Sequence, residues 1–205
     1  MLHLCVASVL GTLVINEVLY DPAGPDAGRE FVEILNVSTQ AVELAGVELE
    51  VGDGARPGIW KRAWLASAGE LAAGELLVVG GDLVGARRFV LSASLQNGPD
   101  AVRLRRAGAV LDRVGYGALE DPDLFELRPA LDVAGASLSR IPDGLDTDDN
   151  AADFRGADPT PGRRNVARRA WRVRLRAPDP TRLWPGRQLR VEVRVANVGL
   201  DDIEA

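Results

Sequence analysis

Short apolar runs separated by turn residues dominate the first four-fifths of the chain. Residues 12–20, Thr-Leu-Val-Ile-Asn-Glu-Val-Leu-Tyr, are almost continuously apolar and stop at Asp21-Pro22, where a Gly/Pro/Asp stretch leads to Gly28. That pattern predicts a largely buried strand. Residues 30–37 alternate instead, with Phe31, Glu33 and Leu35 on one face and Val32 and Ile34 on the other. Alternation resumes over residues 40–52 and shifts phase at Ala45-Gly46, which predicts a turn or bulge there. Further strands are expected at residues 76–79, 89–95, 102–104 and 110–114, the last two joined by a tight hairpin at Arg106-Ala107-Gly108. Residues 137–141 read as a last edge strand, 53–73 as a loop carrying Trp60 and Trp64, and 118–134 as a surface loop with at most one helical turn.

About eight or nine short strands at close spacing, with no sustained helical period, predict an all-β fold of sandwich or barrel type. The chain changes character from Pro159. Pro159-Thr160-Pro161-Gly162-Arg163-Arg164-Asn165 reads as a domain terminus running into a linker. Beyond it, Trp171, Val173 and Leu175 alternate with Arg172, Arg174 and Arg176, and Leu189, Val191, Val193 and Val195 alternate with Arg190, Glu192 and Arg194. Two amphipathic strands do not make a stable domain, so residues 169–205 are expected to be an incomplete second β unit. At the other end, the apolar residues 2–10 suit either a truncated leader over residues 1–11 or a first strand.

Composition refines this picture. The chain has 22 Gly and 12 Pro among 205 residues, and the net charge of −6 divides into −10 over residues 1–167 and +4 over 168–205. An acidic first unit repels phosphate backbones, so nucleic-acid binding is not expected of it. Cys5 is the single cysteine and His3 the single histidine, which excludes an intrachain disulfide, His-dependent triads and His-ligated metal sites in the folded body. No nucleophile elbow, phosphate-binding loop or dinucleotide fingerprint occurs. No stretch approaches transmembrane length.

The order of segments resembles the bacterial lamin-tail domain. The resemblance rests on Leu13-Val14-Ile15-Asn16-Glu17-Val18-Leu19-Tyr20-Asp21-Pro22, Glu30-Phe31-Val32-Glu33-Ile34-Leu35-Asn36, Val42-Glu43-Leu44-Ala45-Gly46-Val47, and the strand ending Leu77-Val78-Val79. Ala136-Ser137-Leu138-Ser139-Arg140-Ile141 and Thr160-Pro161-Gly162-Arg163-Arg164-Asn165 match its close, so about residues 12–166 are covered. The resemblance implies an immunoglobulin-like β-sandwich, serving without catalysis of its own as an interaction or scaffolding module in secreted or envelope-associated bacterial proteins. The expected partner is a protein or cell-surface ligand, with no small-molecule substrate. The Trp-bearing segment 53–68 departs from the family pattern.

Three constellations offer chemistry. Asp143, Asp146, Asp148 and Asp149, with Asp153 following, present the oxygen ligands that Ca²⁺ requires, although Ala151 and Ala157 stand where an EF-hand needs Gly and Glu. The bland alternative is a loop whose Asp side chains hold its own turns. Glu17, Glu30 and Glu33 near Asp21 raise a hydrolase alternative, against cross-strand pairing with Arg29 or hydrogen bonding to backbone N–H groups. The Arg172, Arg174, Arg190 and Arg194 face suggests phosphate contact, against an ordinary solvated face that also guards an edge strand. Trp60 and Trp64 are the expected partner-binding residues, provided they are exposed rather than covering one end of the core.

Overall fold

The computed structural model describes residues 12–166 and, as backbone, the strands 170–176 and 192–198. The apolar run at the start forms β1 (Leu13–Leu19), and the alternating run after it forms β2 (Phe31–Asn36). There follow β3 (Val42–Glu43), β4 (Val47–Asp53), β5 (Trp60–Leu65), β6 (Glu70–Leu71), β7 (Leu76–Gly80) and β8 (Phe89–Val90). The hairpin β9 (Asp100–Arg106) and β10 (Ala109–Tyr116) turns through Ala107 and Gly108, with φ of 48° and 86°. Two successive positive φ values suit the right-handed twist of the flanking strands, and Gly108 adopts its value without steric cost. A 3-10 turn (Pro122–Leu124), β11 (Ser137–Arg140), the one-turn helix α1 (Asn150–Asp153) and β12 (Phe154–Ala157) complete the unit.

These strands build an immunoglobulin-like sandwich. One sheet has the order β12-β11-β1-β2-β7-β8 and the other β10-β9-β4-β5, with β3 and β6 paired beside them. All pairings are antiparallel except β7 with β8. The core lies between the sheets: Leu13, Ile15, Val18, Tyr20, Val32, Ile34, Leu77 and Val79 face Leu49, Val51, Val102, Leu104, Val114 and Tyr116. Tyr20 and Tyr116 stack across it with ring centroids 3.9 Å apart.

A bulge between Ile15 and Glu17 in the β1–β2 pairing changes what each face of β1 carries. Leu13 and Ile15 point into the core before it, Val18 and Tyr20 after it. The extra residue therefore sends Glu17 to the outer face, directly opposite Glu33 of β2. Part of that outer face is apolar, where Leu19, Phe31, Val78 and Val84 form a second cluster.

The structure corrects three expectations and adds one strand. Residues 60–65 are strand rather than loop, paired along β4 with a bulge at Leu49/Glu50. Residues 137–140 are not an edge, since β12 covers them on one side and β1 on the other. β12 itself, Phe-Arg-Gly-Ala, carries too little periodicity to be expected. Of residues 89–95, only Phe89–Val90 is strand.

The chain divides into two compact units between Val166 and Ala167. In the second, β13 (Ala170–Arg176) and β14 (Glu192–Val198) pair antiparallel, with Arg174 opposite Arg194 and Arg172 opposite Ala196. Arg190 and the apolar run at residues 2–10 lie outside the described residues. No helix among the described residues is long and apolar enough to cross a membrane.

Candidate functional site

Some of the carboxylates singled out in the sequence fall into two buried polar assemblies on either side of β1. The first centres on Arg140, at the end of β11, which is wholly buried. Strand alternation puts it on the core face with Leu138, so its charge must be met by protein. Its Nε donates to the Ile15 carbonyl at 2.9 Å, one terminal nitrogen to Asp153 Oδ2 at 2.9 Å, and the other to both oxygens of Asp112 at 3.2 Å. Asp146 adds an ion pair at 3.3 Å, and the guanidinium lies 4.4 Å from the centre of the Phe154 ring. Breaking such an assembly by removing one partner leaves a buried charge uncompensated.

The five aspartates expected to share a cation therefore do not converge. Asp153 serves Arg140 and accepts from Thr147 N and Oγ1. Asp149 grips Arg128 through both oxygens, and that pairing holds its carboxyl below the usual range. Asp143 accepts from Asn16 Nδ2 and Asn165 N and pairs with Arg164. Asp148 takes a left-handed φ of 57° and donates its N–H to Asp146. The group with metal-holding geometry is different: Asp112, Glu126 and Asp146 bring one oxygen each within 4.8 Å of one another. Burial, added to the charges of Asp112 and Asp146, pushes Glu126 above the usual carboxyl range, and burial raises Asp112 as well. Arg140 stands as the cation beside two of the three.

The second assembly is the Glu17/Glu33 pair, and the closing segment of the domain covers it. Both side chains are fully buried. Thr160 N donates to Glu17 Oε1 at 2.9 Å, and Gly162 N to Glu33 Oε2 at 2.7 Å. Asn16 Nδ2 reaches Glu33 Oε1 at 3.1 Å. The Thr160 hydroxyl lies 3.1 Å from Glu17 Oε2 and 2.9 Å from Asn165 Oδ1, while Asn165 Nδ2 donates to the carbonyls of Asn16 and Arg140. Burial raises both glutamates, Glu33 to about 7 with further contributions from Glu17 and Asp143. Of the two structural alternatives, hydrogen bonding to backbone N–H groups is the one found; Arg29 turns to the Ala23 carbonyl instead. Glu30 stands apart, raised by burial and accepting from Ser94, and Asp21 accepts from Asn97.

A family model for the lamin tail domain matches residues 7–118, more than half of the chain. The chain belongs to the lamin tail domain family. No curated protein matches it. In this lamin tail domain the matched stretch supplies both sheets up to β10. Residues beyond it add β11, β12, Arg140 and the closing segment, which reaches back over β1 and β2.

The two tryptophans are not loop residues in this domain. Trp64 is only 7% exposed and packs at 5.0 Å against Phe89 in the main core. Trp60 lies on the outer face of the second sheet over Gly52, beside Leu124, with the Arg103 guanidinium 3.8 Å from its ring. That makes it part of a small cluster with Ala101, Leu119 and Phe125. Sequence reasoning missed Arg140, Asp112 and Asn165. Period-two alternation was the available signal for the first two, since it aligns Arg140 with Leu138 and Asp112 with Val114 and Tyr116.

Proposed function

We propose that this domain is a non-catalytic interaction module of a larger secreted or envelope-associated bacterial protein. The observation that carries the reading is the loop after β10, which displays leucines from a fixed frame. Glu126 exchanges backbone bonds with Asn150, its N–H reaching Asn150 Oδ1 at 3.1 Å and its carbonyl accepting Asn150 N at 3.2 Å. Arg128 is gripped by Asp149, and its carbonyl accepts Ala151 N at 3.1 Å. Between them Leu127 is 74% exposed with φ of 46°. A left-handed leucine costs about 1 kcal/mol or more. Four residues on, Leu131 is 80% exposed between the anchored Ala130 and Asp132, whose carboxylate accepts the Tyr20 hydroxyl. Apolar side chains held outward by an ordered loop have little conformational entropy left to lose on binding.

The buried chemistry supports the same reading. Glu17 and Glu33 are engaged by the closing segment, Asp146 and Asp153 by Arg140, and Asp149 by Arg128. Two measurements on the full chain test the proposal. No turnover of phosphodiester or glycoside substrates is expected with or without millimolar Ca²⁺; turnover that Glu33→Ala or Asp146→Ala abolishes would overturn it. In the parent protein, the double variant Leu127→Asp/Leu131→Asp should keep the wild-type melting temperature and lose the parent's binding function. Unchanged binding would refute the assignment of this loop.

A further inference from the structure

A cavity of about 250 Å³ opens at the end of the sandwich, away from both buried assemblies. At roughly 30 Å³ per water it has room for about eight waters, the size of a small organic molecule. Val51 forms an apolar wall, and Ile59, 54% exposed, stands at the rim. Asp53 and Arg56 also line it, but they are committed to each other: Arg56 Nε donates to Asp53 Oδ2 at 2.7 Å, and the N–H groups of Ala55 and Arg56 take Asp53 Oδ1.

Lys61 of β5 and Gln96 line it as well. Lys61 is the one lysine in a chain whose other 23 basic side chains are all arginine. It is exposed, and it has no ion pair among the described residues. Its compact ammonium on a flexible stem is a free point charge. The walls around it are fixed in advance. The Gln96 carbonyl accepts the Tyr116 hydroxyl at 3.0 Å, Ser94 bonds Glu30, and Asp53 N and Ile59 N close the β4–β5 turn onto Ile59 O and Arg56 O.

We propose that this cavity binds a carboxylate attached to a small apolar body, with Lys61 and the Gln96 amide on the carboxylate and Val51 and Ile59 against the body. A free organic acid and a peptide ending in an apolar residue share this chemistry. The proposal stands independently of the leucine loop, since neither Leu127 nor Leu131 lines the cavity.

The test is amide-shift titration of the full chain with N-acetyl-leucine, N-acetyl-leucine amide, and an acetylated tripeptide ending in leucine with a free carboxylate. Saturable shifts at Ile59, Lys61, Ser94 and Gln96 are expected with the two carboxylates and not with the amide. Lys61→Met should weaken binding by about fivefold, the upper range for one exposed charge contact, and leave the melting temperature unchanged. Binding at least as tight by the tripeptide as by the free acid assigns a peptide C-terminus as the source, and binding by the free acid alone assigns a small metabolite acid. No saturable shift at about 20 mM, equal binding of the amide, or undiminished binding by Lys61→Met would each overturn the proposal.

Discussion

Replacing Glu33 by Gln should reverse its effect on stability between acid and alkaline pH. Glu33 is fully buried, and its carboxyl rises from 4.5 to about 7 in the folded domain. A carboxyl raised on folding favours the folded state while protonated, so its contribution is complete below pH 4.5 and is lost as pH climbs through about 7. The difference of about 2.5 units, at 1.36 kcal/mol each, is about 3 kcal/mol. Gln cannot titrate, so the variant loses that slope. It also gives up one acceptor, because Gly162 N and Asn16 Nδ2 both donate to Glu33 and the Gln amide can receive only one of them. That mismatch costs about 1–2 kcal/mol at every pH. Glu33→Gln should therefore be less stable than wild type near pH 4.5 and more stable near pH 8. Urea unfolding followed by tryptophan emission, with buried Trp64 as the reporter, gives the difference directly. Subtracting the variant from the wild type removes the slopes of Glu17, Glu30 and Asp100, which burial also raises. A difference that stays constant from pH 4.5 to 8 would refute the account of the closing segment.

Two further outcomes follow from contacts already described. Arg140→Met should cost about 3–5 kcal/mol at pH 7, because Asp112 and Asp153 would remain buried without their cation, and part of that loss should return near pH 5 as Asp112, already raised by burial, takes up a proton; urea midpoints at the two pH values check both. Gly54→Ala should destabilise by about 3 kcal/mol, since a Cβ there would stand 2.1 Å from the Pro99 carbonyl oxygen; a neutral melting temperature would show that the β4–β5 turn yields more easily than its packing indicates.

Strands whose side chains obey one period were legible in the sequence. β1, β2, β4, β7 and the β9–β10 hairpin combine β-branched runs with turn residues, and the Ala107-Gly108 turn is visible from its composition. β5 was not legible because its bulge sets Ala63 and Trp64 both inward, which breaks the alternation and leaves Trp-Lys-Arg-Ala-Trp-Leu looking like loop. β11 looked like an edge because its outer partner contains Gly156 and one exposed Arg. The carboxylates were visible as residues but not as assemblies. Glu17 meets Thr160 across 143 positions and Glu33 meets Gly162 across 129, and no local pattern reports such a contact. The Asp-rich loop has the composition of a cation site, and its charge is met by an arginine whose burial follows only once β11 is known to be interior.

The closing segment also sets how the Glu17 carboxyl is met. Asn165 Nδ2 spends both protons on the carbonyls of Asn16 and Arg140, so its Oδ1 can only accept. That oxygen and Glu17 Oε2 both lie within reach of the Thr160 hydroxyl, at 2.9 and 3.1 Å. The one hydroxyl proton is shared between these two acceptors, while Thr160 N donates to Glu17 Oε1 in either case. Burial raises the Glu17 carboxyl, and the Thr160 donors act against that rise. Two ionised glutamates placed opposite each other on adjacent strands would repel, and the Glu17 charge adds to the rise of Glu33. The bulge in β1 that turns Glu17 outward thus prepares a site that one segment of the chain satisfies. Thr160, Gly162 and Asn165 carry the donors and acceptors at the required spacing, and an apolar strap of the same length would take from Glu17 and the Asn16 carbonyl the side-chain donors that Thr160 and Asn165 supply.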